Sequence, residues 1–236
     1  MDEKITLIKG DCLKELKKLS DNSVDLIITD PPYKVSQNYG SGVDADNLRN
    51  VASILRTLPE MCRILKEGRF LVCFYDNRIL PFLFEAIKDT ELVYRKSIYL
   101  YRRWGNAHRW MGWMQTTDPV CFFVKGHNKP FYESKIKAKV KHDCYIKSKP
   151  EKETTGHPAQ KPLEIIEDII TWCSTEGDTI LDRIKASCSN FYVRTCTAQE
   201  ALDYCNAWYD SGLDPDYFTL DVDSFTLIDG RPILPI

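Results

Sequence analysis

Asp30-Pro31-Pro32-Tyr33 sets a carboxylate and an aromatic ring side by side on a backbone stiffened by two prolines. That combination suits one kind of chemistry, activation of the exocyclic amine of a nucleobase. Such an amine is a poor nucleophile because its lone pair is delocalised into the ring. Acceptors on both of its hydrogens draw the nitrogen toward tetrahedral geometry and localise the pair. The Asp30 carboxylate can supply one acceptor, and the backbone carbonyl of Pro31, held by the proline that follows, the other. Tyr33 offers a π face for an unstacked base, worth roughly 1–3 kcal/mol, and the base must leave its helix to reach it. This is preorganised electrostatics more than general-base catalysis.

Position gives the motif its setting. The apolar run Val24, Leu26, Ile27 and Ile28 reads as a short buried strand that the prolines end. Further strands are expected at 5–9, 69–76, 91–102, 118–126 and 178–182, and helices over 10–23, 47–66, 78–89 and 161–174. Pro59 should split the second helix and Gly68 should stop it. Strands alternating with helices predict an α/β fold, a mainly parallel sheet with helices on both faces. Ligands of such sheets bind at the carboxyl ends of strands. Asp30 and Asp182 both stand at strand ends, and Asp11 follows the first strand. Taken alone, Asp11 reads more simply as a helix cap.

Composition narrows the class. The chain has 236 residues, 43% of them hydrophobic, enough for one sizeable core. A formal net charge of −2 means that any nucleic-acid surface is local. The nine cysteines include no CxxC pair, so free buried thiols in a reducing compartment are expected and no metal site. The first residues lack the pattern of a signal peptide, and no apolar run approaches the roughly 20 residues of a membrane helix. The expectation is a soluble, cytoplasmic, DNA-associated protein with no membrane partner.

ITDPPY, preceded by GDCLKELKKLSDNSVDLI, resembles the amino-methylating DNA methyltransferases that use S-adenosylmethionine (SAM). The order of motifs resembles the β class, with DPPY toward the N-terminus and the cofactor motif toward the C-terminus. TTDPVCFFVKG (116–126) and HPAQKPLEIIEDIITWCSTEGDTILD (157–182) add to the likeness, which covers about residues 5–190. The resemblance implies a Rossmann-like methyltransferase fold over 1–236 with a small basic insertion at 125–156 for target recognition and a divergent segment at 191–236. It implies methyl transfer to an exocyclic amine in double-stranded DNA, leaning to N6 of adenine with N4 of cytosine open. Asp30, Pro31, Pro32 and Tyr33 would be the catalytic motif. Asp11 and Cys12 would lie near the adenine of SAM, and Gln160, Lys161 and Pro162 at its amino-acid end, Lys161 pairing with its carboxylate. Asp182, Ser187 and Ser189 would belong to the cofactor loop.

That loop departs from the pattern. The family's D-P-F-x-G-S-G-S/T aligns with Asp182-Arg183-Ile184-Lys185-Ala186-Ser187-Cys188-Ser189, without either glycine. A Cβ at a left-handed position costs about 1–2 kcal/mol and intrudes on the ligand. The alternative to an enzyme is therefore a homologue impaired in SAM binding that acts as a DNA-binding protein or pairs with an active subunit. A homodimer is a further expectation.

For DNA, nine lysines fall within 125–152, among them Lys135, Lys137, Lys139 and Lys141, interleaved with Tyr132 and Tyr145. Their place in the family's layout favours phosphate contact over a merely solvated face. A second candidate is 99–115, where Arg102, Arg103 and Arg109 share a segment with three tryptophans. Exposed, these would grip DNA; buried, they would be core and rim.

Overall fold

In the computed structural model the described residues are 6–31, 55–77, 80–102, 109–110, 113–114, 116–126, 142–147, 161–185, 191–197, 227–228 and 231–232. The main sheet has eight strands. These are β1 (Thr6–Gly10), β2 (Val24–Thr29), β3 (Leu65–Phe74), β4 (Leu92–Arg102), β7 (Thr117–Lys125), β8 (Cys144–Lys147), β9 (Thr179–Lys185) and β10 (Phe191–Thr197), in spatial order β1-β10-β9-β2-β3-β7-β4-β8. Two short hairpins stand apart from it. One joins β5 (Arg109–Trp110) to β6 (Trp113–Met114), the other β11 (Leu227–Ile228) to β12 (Arg231–Pro232).

The expected parallel character holds in strand direction. β9, β2 and β3 pair in parallel at the centre, as do β4 and β8; only β7 and β10 run against the rest. Alternation of side chains divides the core into two layers. Ile27, Leu71, Cys73, Phe123 and Leu181 face α1 (Cys12–Leu16), α2 (Leu58–Ile64) and α3 (Leu80–Ile87). Leu26, Ile28, Val72, Phe74, Val124 and Ile180 face α4 (Leu163–Cys173) through Ile165, Ile169, Ile170 and Cys173. Every residue of β2 is buried, as a strand covered on both faces requires.

Two local expectations are corrected. Gly68 does not stop a helix: α2 ends at Ile64, and Gly68 lies inside β3 with φ of 73°. The pairing jumps there, from Val24 opposite Leu65 to Leu26 opposite Phe70. The excursion of 66–69 needs a left-handed residue, which glycine supplies without a Cβ clash. It also turns Lys66 and Arg69 onto the buried Asp25. Lys66 Nζ lies 2.8 Å from Asp25 Oδ2, Arg69 Nη2 3.1 Å from Oδ1, and the Thr179 N–H donates to Oδ2 at 3.0 Å. Arg69 also holds Asp178 at 2.9 Å, so one cluster ties the starts of β2 and β9 to the bulge of β3.

The second correction concerns β9. Its expected end at Asp182 extends to Lys185, with Arg183 opposite Thr29 on one side and Val193 on the other. The resembling pattern carries a proline at Arg183, and proline would remove a ladder donor. Arginine keeps that donor, and the strand runs on. The next described element is not a helix but β10, which returns antiparallel between β9 and β1.

Candidate active site at the carboxyl ends of the central strands

Asp30 follows the last residue of β2, and β9 is the neighbouring parallel strand, with Ile28 opposite Asp182. Asp30 and Asp182 therefore share one end of the sheet. Alternation puts Asp182 on the face of Ile28 and Ile180, the face covered by α4. Pro31 is buried, while Asp30 is exposed.

Lys161 comes to the same place from far along the chain. It stands just before Pro162, the N-cap of α4. Its Nζ lies 3.0 Å from Asp30 Oδ2 and 5.4 Å from the centroid of the Phe74 ring at the end of β3. The lysine side chain is only 10% exposed against 42% for the aspartate. An ammonium this enclosed needs a carboxylate and benefits from the ring's π face.

At the head of α1, Asp11 is an N-cap: its Oδ1 accepts from the Lys14 N–H at 3.0 Å. Cys12 is buried in the core beneath the helices. Cys12, Cys62, Cys73, Cys121, Cys144 and Cys173 are free thiols, and of these Cys144 alone is exposed. Burial pushes the thiols of Cys62 and Cys121 up.

Other residues reach this sheet end without having been singled out in sequence. Asp76 and Asp118 are both buried there, and the Tyr75 N–H between them donates to the Pro119 carbonyl at 3.1 Å. The signal was present: Phe74-Tyr75-Asp76 closes a strand in an acid just as Thr29-Asp30 does. Thr29 carries a second feature. It is 2% exposed, and its hydroxyl has no hydrogen-bond partner among the described residues. A buried polar atom left in this way asks for a ligand or ordered water.

The basic segment is partly reassigned. Lys125 is buried at the opposite end of the sheet, where its Nζ holds Asn22 Oδ1 at 2.8 Å, the Leu65 carbonyl at 2.8 Å and the Arg63 carbonyl at 3.3 Å. It caps the end of α2 and the turn before β2. Tyr145 donates to Asp168 Oδ2 at 2.7 Å, fastening β8 to α4, and its burial together with that carboxylate pushes the phenol up. Arg102 ends β4 and Arg109 lies in β5; the intervening chain leaves from the Asp30 end of the sheet, since β4 runs parallel to β2. Pro32, Tyr33, Arg103, Lys135, Lys137, Lys139, Lys141, Gln160, Ser187 and Ser189 lie outside the described residues.

Residues 24–183 match the N6/N4 methyltransferase family, described as DNA methylase. The chain belongs to that family. It is 27% identical over 206 residues to the type II methyltransferase M.HpaI of Haemophilus parainfluenzae, covering 77% of this chain and 63% of that protein. The match thus spans less than two thirds of M.HpaI. It is 26% identical over 217 residues to the DNA adenine methyltransferase YhdJ of Escherichia coli K12, covering 79% of this chain and 73% of YhdJ. Two solved structures share the fold. M1.HpyAVI in complex with SAM aligns with a TM-score of 0.52 at 22% identity over 86% of this chain and 88% of that one. The cytosine-N4-specific PvuII DNA methyltransferase aligns with a TM-score of 0.54 at 15% identity over 89% and 94%.

Proposed function

We propose that this protein transfers a methyl group from SAM to an exocyclic base amine of double-stranded DNA, at N6 of adenine. The observation that carries the reading is Asp30, held by Lys161 at the carboxyl end of β2 beside the parallel β9. YhdJ, an adenine methyltransferase by name, supports adenine; PvuII methyltransferase makes cytosine N4 the product to be distinguished from it.

The fit to SAM rests on features of this site. Thr29 offers a buried hydroxyl with no partner among the described residues, and Lys161 brings a cation to the same sheet end. Lys161, Gln160 and Pro162 would hold the amino-acid end, Asp11 and Cys12 the adenine, and Asp182, Ser187 and Ser189 the loop between. Bound there, SAM supplies an electrophilic methyl on a sulfonium. Asp30 accepts a hydrogen bond from the target amine, the Pro31 carbonyl accepts the second, and Tyr33 stacks on the extruded base. With that donor in place, Asp30 and the Pro31 carbonyl would hold the amine, and its surplus proton would leave through Asp30 or solvent.

DNA is held through the lysines of 125–156 and the arginines of 99–115, with Lys125 and Tyr145 excluded by their structural contacts. A second reading has its own observation. β9 continues through Lys185, and both loop glycines are replaced, which favours a homologue with weakened SAM binding that acts on DNA with a partner subunit or as a homodimer.

Calorimetric titration with SAM, followed by nucleoside mass spectrometry of unmethylated DNA incubated with protein and SAM, separates the readings. The enzyme reading expects micromolar binding and N6-methyladenine. N4-methylcytosine would correct the base, and the absence of both binding and product would favour the second reading.

A further inference from the structure

We infer that the Thr29 hydroxyl is a binding contact for the adenosyl group of the cofactor. The inference rests on the reading of this sheet end as a SAM site. Two observations carry it, one of chemistry and one of placement.

The chemistry is that of an unmet hydroxyl. Thr29 is 2% exposed, and its Oγ1 has no hydrogen-bond partner among the described residues. Its polar neighbours on β3 turn to other groups. Cys73, directly opposite, donates to the Phe74 carbonyl at 3.3 Å, and the Tyr75 hydroxyl meets that of Ser97 at 3.3 Å. Burying a hydroxyl without a partner costs free energy that a ligand group regains when it supplies the bond.

The placement follows from strand direction. Ile27 packs in the layer beneath α1, α2 and α3, so Thr29, two residues further along β2, lies on that face. β1 is antiparallel to β10 and β10 to β9, so β1 runs with β9 and β2 and ends at the end where Thr29 stands. Asp11 and Cys12 follow β1, and Cys12 is buried in the same layer as Ile27. Lys161, over Phe74, lies on the other face, beneath α4. Thr29 thus shares its face with the residues proposed for adenine, not with the lysine proposed for the amino-acid end. The adenosyl group carries donors and acceptors on base and ribose, and a hydroxyl serves either.

Thr29→Val keeps the shape and removes the hydroxyl, whereas Thr29→Ser keeps the hydroxyl. Calorimetry with S-adenosylhomocysteine should show about tenfold weaker binding in Thr29→Val, the scale of one hydrogen bond lost from a buried site, and little change in Thr29→Ser. 5′-Methylthioadenosine, which lacks the amino-acid end, should lose the same factor. Without ligand, Thr29→Val should melt no lower than the unaltered protein.

Equal binding of S-adenosylhomocysteine by Thr29→Val and the unaltered protein would overturn the inference. So would a loss seen with S-adenosylhomocysteine and not with 5′-methylthioadenosine, since the contact would then lie at the amino-acid end. A lower melting temperature in Thr29→Val, with Thr29→Ser unchanged, would show that the hydroxyl already has a partner without ligand, and would overturn it too. Failure of the unaltered protein to bind either compound is a separate result: the SAM reading itself falls, and this inference with it.

Discussion

Thr29 and Arg183 stand opposite one another in the parallel pairing of β2 and β9, one residue before the Asp30 motif and one residue after Asp182. The strand that should yield to a cofactor loop at Asp182 instead keeps its ladder to Lys185. The next residue in the sequence, Ala186, stands where the pattern has glycine. Ala186→Gly together with Cys188→Gly should therefore tighten SAM binding, by up to roughly 10²-fold if both positions require left-handed backbone at 1.4 kcal/mol per decade. Calorimetry on the double variant reads this. Unchanged affinity would mean that the segment accepts side chains without cost.

At the other end of the sheet, Asp25 joins three strands through Lys66, Arg69 and the Thr179 N–H. Asp25→Ala would remove one of the carboxylates that hold Arg69, whose side chain is 15% exposed. Breaking a buried ion pair on one side costs about 3–5 kcal/mol, with the lower end apt here because Lys66 reaches solvent. Urea denaturation should show the loss as a lower midpoint. A change below about 1 kcal/mol would show that the cluster adds little to stability.

Lys125 grips carbonyls at the end of α2, so Lys125→Ala should destabilise the fold and leave the salt dependence of DNA binding unchanged. Replacing Lys135, Lys137, Lys139 and Lys141 together by alanine should do the reverse. If all four meet phosphates, the slope of log affinity against log salt should shrink by about 3–4, at about 0.9 per contact. A slope unchanged by the fourfold replacement would move the DNA surface to 99–115.

Alkaline sensitivity follows from the core. Burial pushes up the thiol of Cys121 and the phenol of Tyr75, which meet through the Ser97 hydroxyl at 3.5 and 3.3 Å. Below about pH 9 these groups are protonated in both the folded and unfolded chain and contribute no pH dependence. Above it the unfolded chain releases protons that the folded one retains, so stability falls as pH rises. Melting temperature should drop between pH 9 and pH 10.5, and Cys121→Ala with Tyr75→Phe should flatten the drop, whatever they do to stability at pH 7.

What was legible in the sequence follows from range. β2 and α4 are local patterns, an unbroken apolar run and a 3.6-residue stripe behind Pro162, and both form as read. Asp30 and Lys161 were each visible as site residues, but their contact was not, since it depends on α4 covering the face on which β2 ends. The bulge at 66–69 was misread because Gly68 looks the same whether it ends a helix or turns a strand toward Asp25. Lys125 was hidden in a run of lysines of the same charge, because its burial depends on the Arg63 and Leu65 carbonyls, about sixty residues away in the sequence. β10 escaped because its partners are β9 and β1, one of them at the far end of the chain.

The central claim is that Asp30 activates a base amine for methylation. Its most direct measurement is transfer of labelled methyl from SAM to unmethylated double-stranded DNA under single-turnover conditions, by the unaltered protein and by Asp30→Ala. The account predicts label on adenine N6 with the unaltered protein and a loss of about 10²-fold or more with the variant, the scale of removing one preorganised polar group from a reacting centre. Equal transfer by the two proteins would contradict it.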